Sequence, residues 1–202
     1  LLMKNPQTIE QLVHSLTLFP SIGFKSAERM AYALLDMSEE DINRLVKNIE
    51  NAKTKIHQCP ICGSLTEEDQ CNICKDTSRN HSTCIVVANP KDVFSFEKIG
   101  EFNCVYHVLN GLINPSKNIG PEDLNIAKLL DRIKPEGIKE LIIATNGSSE
   151  GEITALYIAK LLENEDVNVS RIGYGMPIGA SFDYLDSLTI EKALKNRTII
   201  KK

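Results

Sequence analysis

Two Cys-x-x-Cys pairs eight residues apart, Cys59-Pro60-Ile61-Cys62 and Cys71-Asn72-Ile73-Cys74, constrain this chain more than anything else in it. Knuckles at that separation can aim four thiolates at one tetrahedral point, the geometry of a closed structural zinc site. The intervening residues, 63–70, are too polar to bury a core of their own. They have a reason to fold only if their ends are tied together. Metal binding supplies folding free energy on the order of 10 kcal/mol to so small a module. The alternatives are two disulfides or four unrelated thiols. The paired spacing favours one structural Zn²⁺ per chain, held by Cys59, Cys62, Cys71 and Cys74. Cys84 and Cys104 stand in apolar runs and read as small buried hydrophobes.

A length of 202 residues allows one large domain or two small ones. No stretch approaches the roughly 18 apolar residues that a membrane span needs. The first residues lack a charged segment followed by an apolar one, so no secretory signal is read there. A reducing, cytoplasmic setting is therefore expected, and in it the paired cysteines are metal ligands rather than disulfides. The net charge of −4 argues against a protein coated in positive potential. Neither part of the chain departs from that balance: residues 1–84 carry 9 basic against 11 acidic side chains, and 85–202 carry 14 against 16. Nucleic-acid binding by such a chain works through a local basic face, with modest, salt-sensitive affinity.

Residues 8–57 carry helical periodicity. Thr8 is placed to cap a helix with Ile9, Leu12, Val13 and Leu16 on one face. Pro20-Ser21-Ile22-Gly23 breaks it. A second helix spans 25–35, and Ser38-Glu39-Glu40-Asp41 opens a third in the manner of a capping box. From Cys84 the pattern changes to short apolar runs at 84–88, 105–109, 140–145 and 167–172, each read as a buried strand. Helices are expected between them at 90–98, 122–133 and 153–162, and a last one near 187–195. Strand and helix in alternation predict a parallel α/β sheet.

Four segments carry chemistry. Residues 20–27 resemble the helix-hairpin-helix DNA-binding motif, with Ser21 where that motif has glycine. There a tight hairpin turns backbone N–H groups and a helix N-terminus toward a phosphate without reading base sequence. Ile22 and Gly23 form the hairpin, and Lys25 and Arg29, four apart, share a helical face. An ordinary helical corner is the competing reading. Residues 145–152 resemble the Toprim signature, in which an Asp-x-Asp pair and a Glu after the first strand hold Mg²⁺. Here Asn146 and Ser148 replace the two aspartates, and Ala88-Asn89 stands where the Glu would be, so metal-dependent strand cleavage lacks its ligands. Glu150 and Glu152 remain, as a partner-docking edge or simply as negative charge at a helix N-terminus. His107, inside an apolar strand, reads as a hydrogen-bonded core histidine. Residues 171–179, Arg171 first among them and Tyr184 and Asp186 after them, end the fourth strand and continue as a Gly- and Pro-rich ligand loop, subunit contact or structural turn.

In this order the segments resemble the RecR family of bacterial recombination mediators, over about 12–197. The pieces that carry the likeness best are Tyr106-His107-Val108-Leu109, Gly120-Pro121-Glu122-Asp123, Glu150-Gly151-Glu152 and Gly175-Met176-Pro177-Ile178-Gly179. The resemblance implies an α+β chain of several parts. These are a helical helix-hairpin-helix segment at 1–57, a four-cysteine zinc finger at 58–80, an α/β Toprim domain with a parallel sheet at 81–175, and a C-terminal extension of glycine-rich loop, helix and strand at 176–202. It further implies a non-enzymatic, DNA-binding mediator of recombinational repair. Such a protein acts with RecO and RecF to load RecA at gaps or breaks, in the cytoplasm and at the nucleoid. It assembles as a tetrameric ring able to encircle DNA of any sequence. Lys25, Arg29, Ile22 and Gly23 would meet DNA, and Glu150 and Glu152 would meet RecO. The competing functions are a Toprim-type, Mg²⁺-dependent nuclease or primase-like enzyme and a scaffold that makes no DNA contact.

Overall fold

The computed structural model describes residues 5–199. Leu1 and Leu2, together with the end of the expected C-terminal strand, lie outside them. The chain divides after Ile56 into two compact units.

The first unit is helical: α1 (Gln7–Leu16), α2 (Phe24–Leu35) and α3 (Glu39–Lys55). α1 is entered from Pro6 rather than capped by Thr8. The Pro6 carbonyl accepts the N–H groups of Ile9 and Glu10 at 2.9 and 3.2 Å, so the ring that fixes the entry angle also starts the hydrogen-bond ladder. Ser38 caps α3 as expected, its hydroxyl accepting the Asp41 N–H at 3.1 Å. Val13, Ala27 and Ala31 are buried together, with Ile9, Leu12, Leu16 and Ile22 packed around them. The two alanines let α1 and α2 approach closely. α3 keeps no residue buried, and its apolar stripe stays open, with Leu45, Val46 and Ile49 exposed by 41, 49 and 58%.

The second unit begins with a two-stranded ribbon, β1 (His57–Gln58) and β2 (Leu65–Thr66), and a short helix, α4 (Asn72–Lys75). There follow β3 (Asn80–Val87), α5 (Pro90–Glu97), β4 (Cys104–Val108), α6 (Ile126–Glu136), β5 (Glu140–Ile143), α7 (Ser149–Leu161), β6 (Asn168–Arg171) and α8 (Ser187–Lys195). The last four strands form one parallel sheet in the order β4-β3-β5-β6. Side chains alternate along β3: Cys84 and Val86 join Leu129, Leu141, Ile143 and Ile158 on one face, and Ile85 and Val87 join Val93 and Tyr106 on the other. Each fully buried aliphatic side chain contributes about 1.5–3 kcal/mol. Cys84 and Cys104 are both buried, as their apolar settings predict.

Three elements start four residues away from the sequence expectation. β3 starts at Asn80, with a register shift before Cys84 that lets a polar stretch precede the apolar run. α6 starts at Ile126 rather than 122, because Pro121–Asp123 closes a 3₁₀ turn first. α7 starts at Ser149 rather than 153, because the Ser148 hydroxyl accepts the Gly151 N–H at 3.2 Å and caps it. In the C-terminal extension residues 197–199 take no regular structure, so the strand expected there is not formed by them.

Candidate metal centre and nucleic-acid interface

The Sγ atoms of Cys59, Cys62, Cys71 and Cys74 all lie within 4.8 Å of one another. All six cysteines are free thiols, which removes the disulfide alternative. Each knuckle turns a backbone N–H toward sulfur: Ser64 toward Cys62, Cys71 toward Cys59 and Cys74 toward Cys71, each at 3.5 Å. Four packed thiols share protons unevenly. Hydrogen bonds from Cys62 and then Cys74 hold the Cys71 thiol far below its ordinary value, and the bond to Cys71 pushes Cys62 up. A second thiolate so close to the first needs a cation. Soft sulfur donors converging in a largely buried tetrad suit Zn²⁺, which holds all four as thiolates. The centre is structural: four protein ligands leave no open position for substrate.

The finger is fastened to the sheet. The Val108 N–H donates to the Cys62 carbonyl at 2.7 Å, at the end of edge strand β4. Ile73, next to the ligands, packs against both the cysteine cluster and the core of Ile85, Val87 and Tyr106. Gly63 makes this approach possible. Its φ is +76°, and a Cβ there would lie 2.9 Å from the Val108 carbonyl oxygen. Asn110 donates to the Gln58 side chain at 2.9 Å and ties down the ribbon.

The hairpin between α1 and α2 has the left-handed residue its motif requires. Ser21 occupies φ +66°, a region where glycine is free and serine costs on the order of 1 kcal/mol. The Ile22 N–H closes the turn on the Phe19 carbonyl at 3.2 Å, and Ile22 anchors it in the helical core. Gly23 then precedes α2, whose first turn carries no acidic residue. The leading N–H groups of α2 lack intrahelical acceptors, and the helix dipole there is uncompensated. Lys25 and Arg29 are exposed on the same helix. Glu28 is engaged elsewhere, accepting from Asn5 at 3.2 Å.

At the C-terminal edge of the sheet the Toprim-like residues are occupied with one another. Ser148 donates to the Asn146 side chain at 2.9 Å while capping α7. Gly151 packs directly on that turn, where a Cβ would meet the Asn146 carbonyl oxygen at 2.2 Å. Among the described residues the only group of three or more His, Cys, Asp or Glu side chains able to converge on an ion is the cysteine tetrad. Glu150 and Glu152 differ in setting. Glu150 is half-buried, in a 3.5 Å contact with Asn114; its own N–H, then the Ser148 hydroxyl, and last the Lys117 charge keep its carboxyl below the usual range. Glu152 faces Arg171 at 3.4 Å and Lys192 at 3.9 Å.

Arg171 opens the segment that follows the fourth strand, and the sequence alone gives it no role of its own. It donates to the Gly151 and Asn146 carbonyls at 3.1 Å each and to the Tyr174 hydroxyl from Nε at 2.7 Å. It thereby binds the end of β6 and the loop after it to the turn before α7. A cation at the end of a strand, three residues before a tyrosine, was the only signal available. His107 is buried, with Nε2 2.9 Å from the Asn125 carbonyl and Nδ1 3.0 Å from the Arg132 guanidinium. It is a hydrogen-bonded core residue.

Four family models match the chain in succession: the RecR helix-hairpin-helix over 9–53; the four-cysteine zinc finger domain of RecR over 56–76; the Toprim domain over 82–173; and the C-terminal part of RecR over 175–198. Among curated proteins it is 43% identical to Recombination protein RecR of Limosilactobacillus reuteri strain DSM 20016, over 98% of this chain and 99% of that one. The same-named protein of Enterococcus faecalis is 43% identical over 96% of this chain and 98% of its own. That of Streptococcus mutans is 44% identical over 97 and 99%.

Proposed function

The chain belongs to the RecR family, whose place is in recombinational DNA repair, and from that premise we propose that it is a non-catalytic mediator that holds DNA without regard to sequence. The observation that carries this reading is the hairpin before α2. A left-handed Ser21 presents a helix N-terminus with no acidic residue in its first turn, beside exposed Lys25 and Arg29. Ile22 and Gly23 shape it; Lys25 and Arg29 supply charge for phosphate. The absence of an enzymatic role is supported by Asn89, Asn146 and Ser148, which stand where Mg²⁺ would need carboxylates.

The overall charge of −4 limits open-surface affinity, and encirclement answers it. In this reading four copies close a ring, and DNA is retained topologically by a few phosphate contacts per copy. The open apolar stripe of α3 supports self-association, since a helix that buries nothing has yet to meet its partner. RecO and RecF are the protein partners, and Glu150 with Glu152 is the RecO-facing edge. The working division of the chain is 1–57 for DNA and self-contact, 58–80 for zinc, 81–175 for partners and 176–202 for ring closure. It acts in the cytoplasm and at the nucleoid; no described helix is long and apolar enough to cross a membrane.

The test combines mass by light scattering with retention of nicked-circular and linear duplex by the zinc-loaded protein. A tetramer that stays on circular DNA at a salt concentration where it slides off linear DNA supports the ring. A monomer at all concentrations overturns encirclement. No retention of either DNA at low salt overturns DNA binding and leaves a protein scaffold. Mg²⁺-dependent nicking of the circle overturns the non-catalytic role.

A further inference from the structure

The hairpin that joins α1 and α2 carries large apolar side chains on both of its arms. Leu18 and Phe19 stand on the first arm, 78 and 56% exposed, and Phe24 opens the second, 65% exposed. The helical core takes Ile22 from this turn, and Phe24 stays in solvent. Phe24 is the first residue of α2, directly after Gly23. The leading N–H groups there lack intrahelical acceptors. Lys25 follows at about 100° around the helix, and Arg29 lies one turn further on. Both cations are exposed. An aromatic face, a helix N-terminus without acidic residues and two cations thus share the first two turns of one helix.

We infer that Phe24 stacks on an unpaired base of the bound DNA while the start of α2, Lys25 and Arg29 hold its phosphates, so that this hairpin favours single strand over duplex. The inference rests on the reading of the hairpin as a DNA-binding site and adds what is recognised there. A nucleotide joins a flat, largely apolar base to an anion. Phe24 and Lys25, neighbours in the chain, offer a partner to each. Inside a duplex both faces of a base are covered by the next base pairs. An aromatic ring therefore reaches a base only in a single strand, at a gap or at an end. Single-strand binders combine a basic track for the backbone with aromatic platforms for the bases, and every base has a π-face, so the contact tolerates any sequence. A protein surface that covered Phe24 would have to bring acidic groups of its own to the two cations. DNA brings an anion with every nucleotide.

The experiment measures affinity of the zinc-loaded protein, at low salt, for oligothymidine and for a long blunt-ended duplex. The variants are Phe24→Ala, Phe24→Leu, Phe24→Trp and the Lys25→Ala, Arg29→Ala double variant, with circular dichroism and mass recorded alongside. Phe24→Ala and Phe24→Leu should each lose about tenfold on oligothymidine and keep parent-like affinity for the duplex. Phe24→Trp should keep both affinities. The chain has no tryptophan, so the fluorescence of that variant reports on this position alone. It should be quenched by oligothymidine and not by the duplex. Parent-like binding of oligothymidine by Phe24→Ala overturns the inference. Equal losses on both DNAs overturn it, because Phe24 then only shapes the hairpin. Parent-like binding by Phe24→Leu overturns it, because an apolar contact without a π-face then suffices. Should Phe24→Ala fail to fold, unquenched fluorescence of Phe24→Trp on bound oligothymidine overturns it instead. If Phe24→Ala lowers the mass of the assembly and leaves oligothymidine affinity unchanged, the residue joins copies of this chain, and the inference fails. A weakened double variant beside a parent-like Phe24→Ala ends the stacking inference and leaves the hairpin a DNA site. Parent-like affinity in both ends the inference and the hairpin reading together.

Discussion

The Val108 N–H reaches the Cys62 carbonyl at 2.7 Å, so the first zinc knuckle is hydrogen-bonded to the last residue of edge strand β4. That backbone bond ties the metal centre to the sheet alongside the packing of Ile73. An edge strand exposes a row of unpaired backbone groups, and here the finger covers one end of that row. Zinc thus does more than close its own loop; it holds in place the segment that finishes β4.

Removing zinc should therefore be felt in the sheet. In a Cys71→Ser variant, or after chelation, zinc content falls well below one per chain. Hydrogen exchange at the Val108 amide speeds up, because its acceptor leaves with the knuckle. The loss of stability should be several kcal/mol, a fraction of the roughly 10 kcal/mol that metal supplies to small finger modules. Exchange at Val108 that is unchanged in the zinc-free protein would show that the finger stays docked without its metal.

Gly63 offers a second test that leaves the ligands untouched. Alanine there must adopt φ +76° and push its Cβ to 2.9 Å from the Val108 carbonyl oxygen and 3.1 Å from the Asn125 amide. The strained backbone and the crowding together should cost about 2–3 kcal/mol. Chemical unfolding followed with the zinc content held at one per chain measures it. A Gly63→Ala variant within experimental error of the parent would mean that the finger shifts freely on β4.

What was legible in the sequence was local. Cys59, Cys62, Cys71 and Cys74 declare themselves because ligands of one knuckle are close in the chain, and geometry follows from spacing. The strands around Val86 and Ile142 announce themselves because a sheet covered on both faces needs continuous apolar runs. Ser21 departs from the hairpin motif in residue type, yet it adopts the glycine-like φ of +66°; a fold supported by Ile22 tolerates the strain. The starts of α6 and α7 were misplaced because a 3₁₀ turn and the Ser148 cap carry no apolar periodicity. Long-range locks could not be read at all. Cys62 and Val108 meet through backbone atoms, and Arg132 finds His107 25 residues away, with no pattern joining them. Arg171 looks like any strand-end cation until its four oxygen partners are seen.

That His107–Arg132 contact gives the protein a defined acid sensitivity. Burial, and then the Arg132 charge, hold the imidazole down to about 4, from an ordinary 6.5. The neutral ring is what the site accommodates: Nε2–H donates to Asn125, and Nδ1 accepts from Arg132. Because the folded value is depressed, the unfolded chain takes up a proton first. The contribution is full above pH 6.5 and is lost as the pH falls toward 4. A shift of this size corresponds to about 3 kcal/mol. Urea unfolding at pH 7, 5.5 and 4.5 should show the parent losing about that much more than a His107→Gln variant, which cannot titrate. Parallel pH profiles for the two proteins would mean that His107 is charged in the fold or is not buried as described.

The hairpin prediction turns on salt. Lys25 and Arg29 lie one helical turn apart and exposed on α2, beside N–H groups that need an anion. If four copies each bring both side chains to one duplex, about eight phosphates are neutralised, and the logarithm of affinity falls with the logarithm of salt at a slope of about −7. A Lys25→Ala, Arg29→Ala double variant should bind more weakly at low salt and show a much shallower slope. Its dependence on base sequence should not change, because phosphate contacts carry no sequence information. Leading N–H groups of α2 remain in the variant, so a residual, weakly salt-dependent affinity is expected. Equal affinity of the variant and the parent at every salt concentration would remove this face from the DNA path. A reduced affinity with an unchanged slope would show instead that the two side chains shape the hairpin and do not touch phosphate.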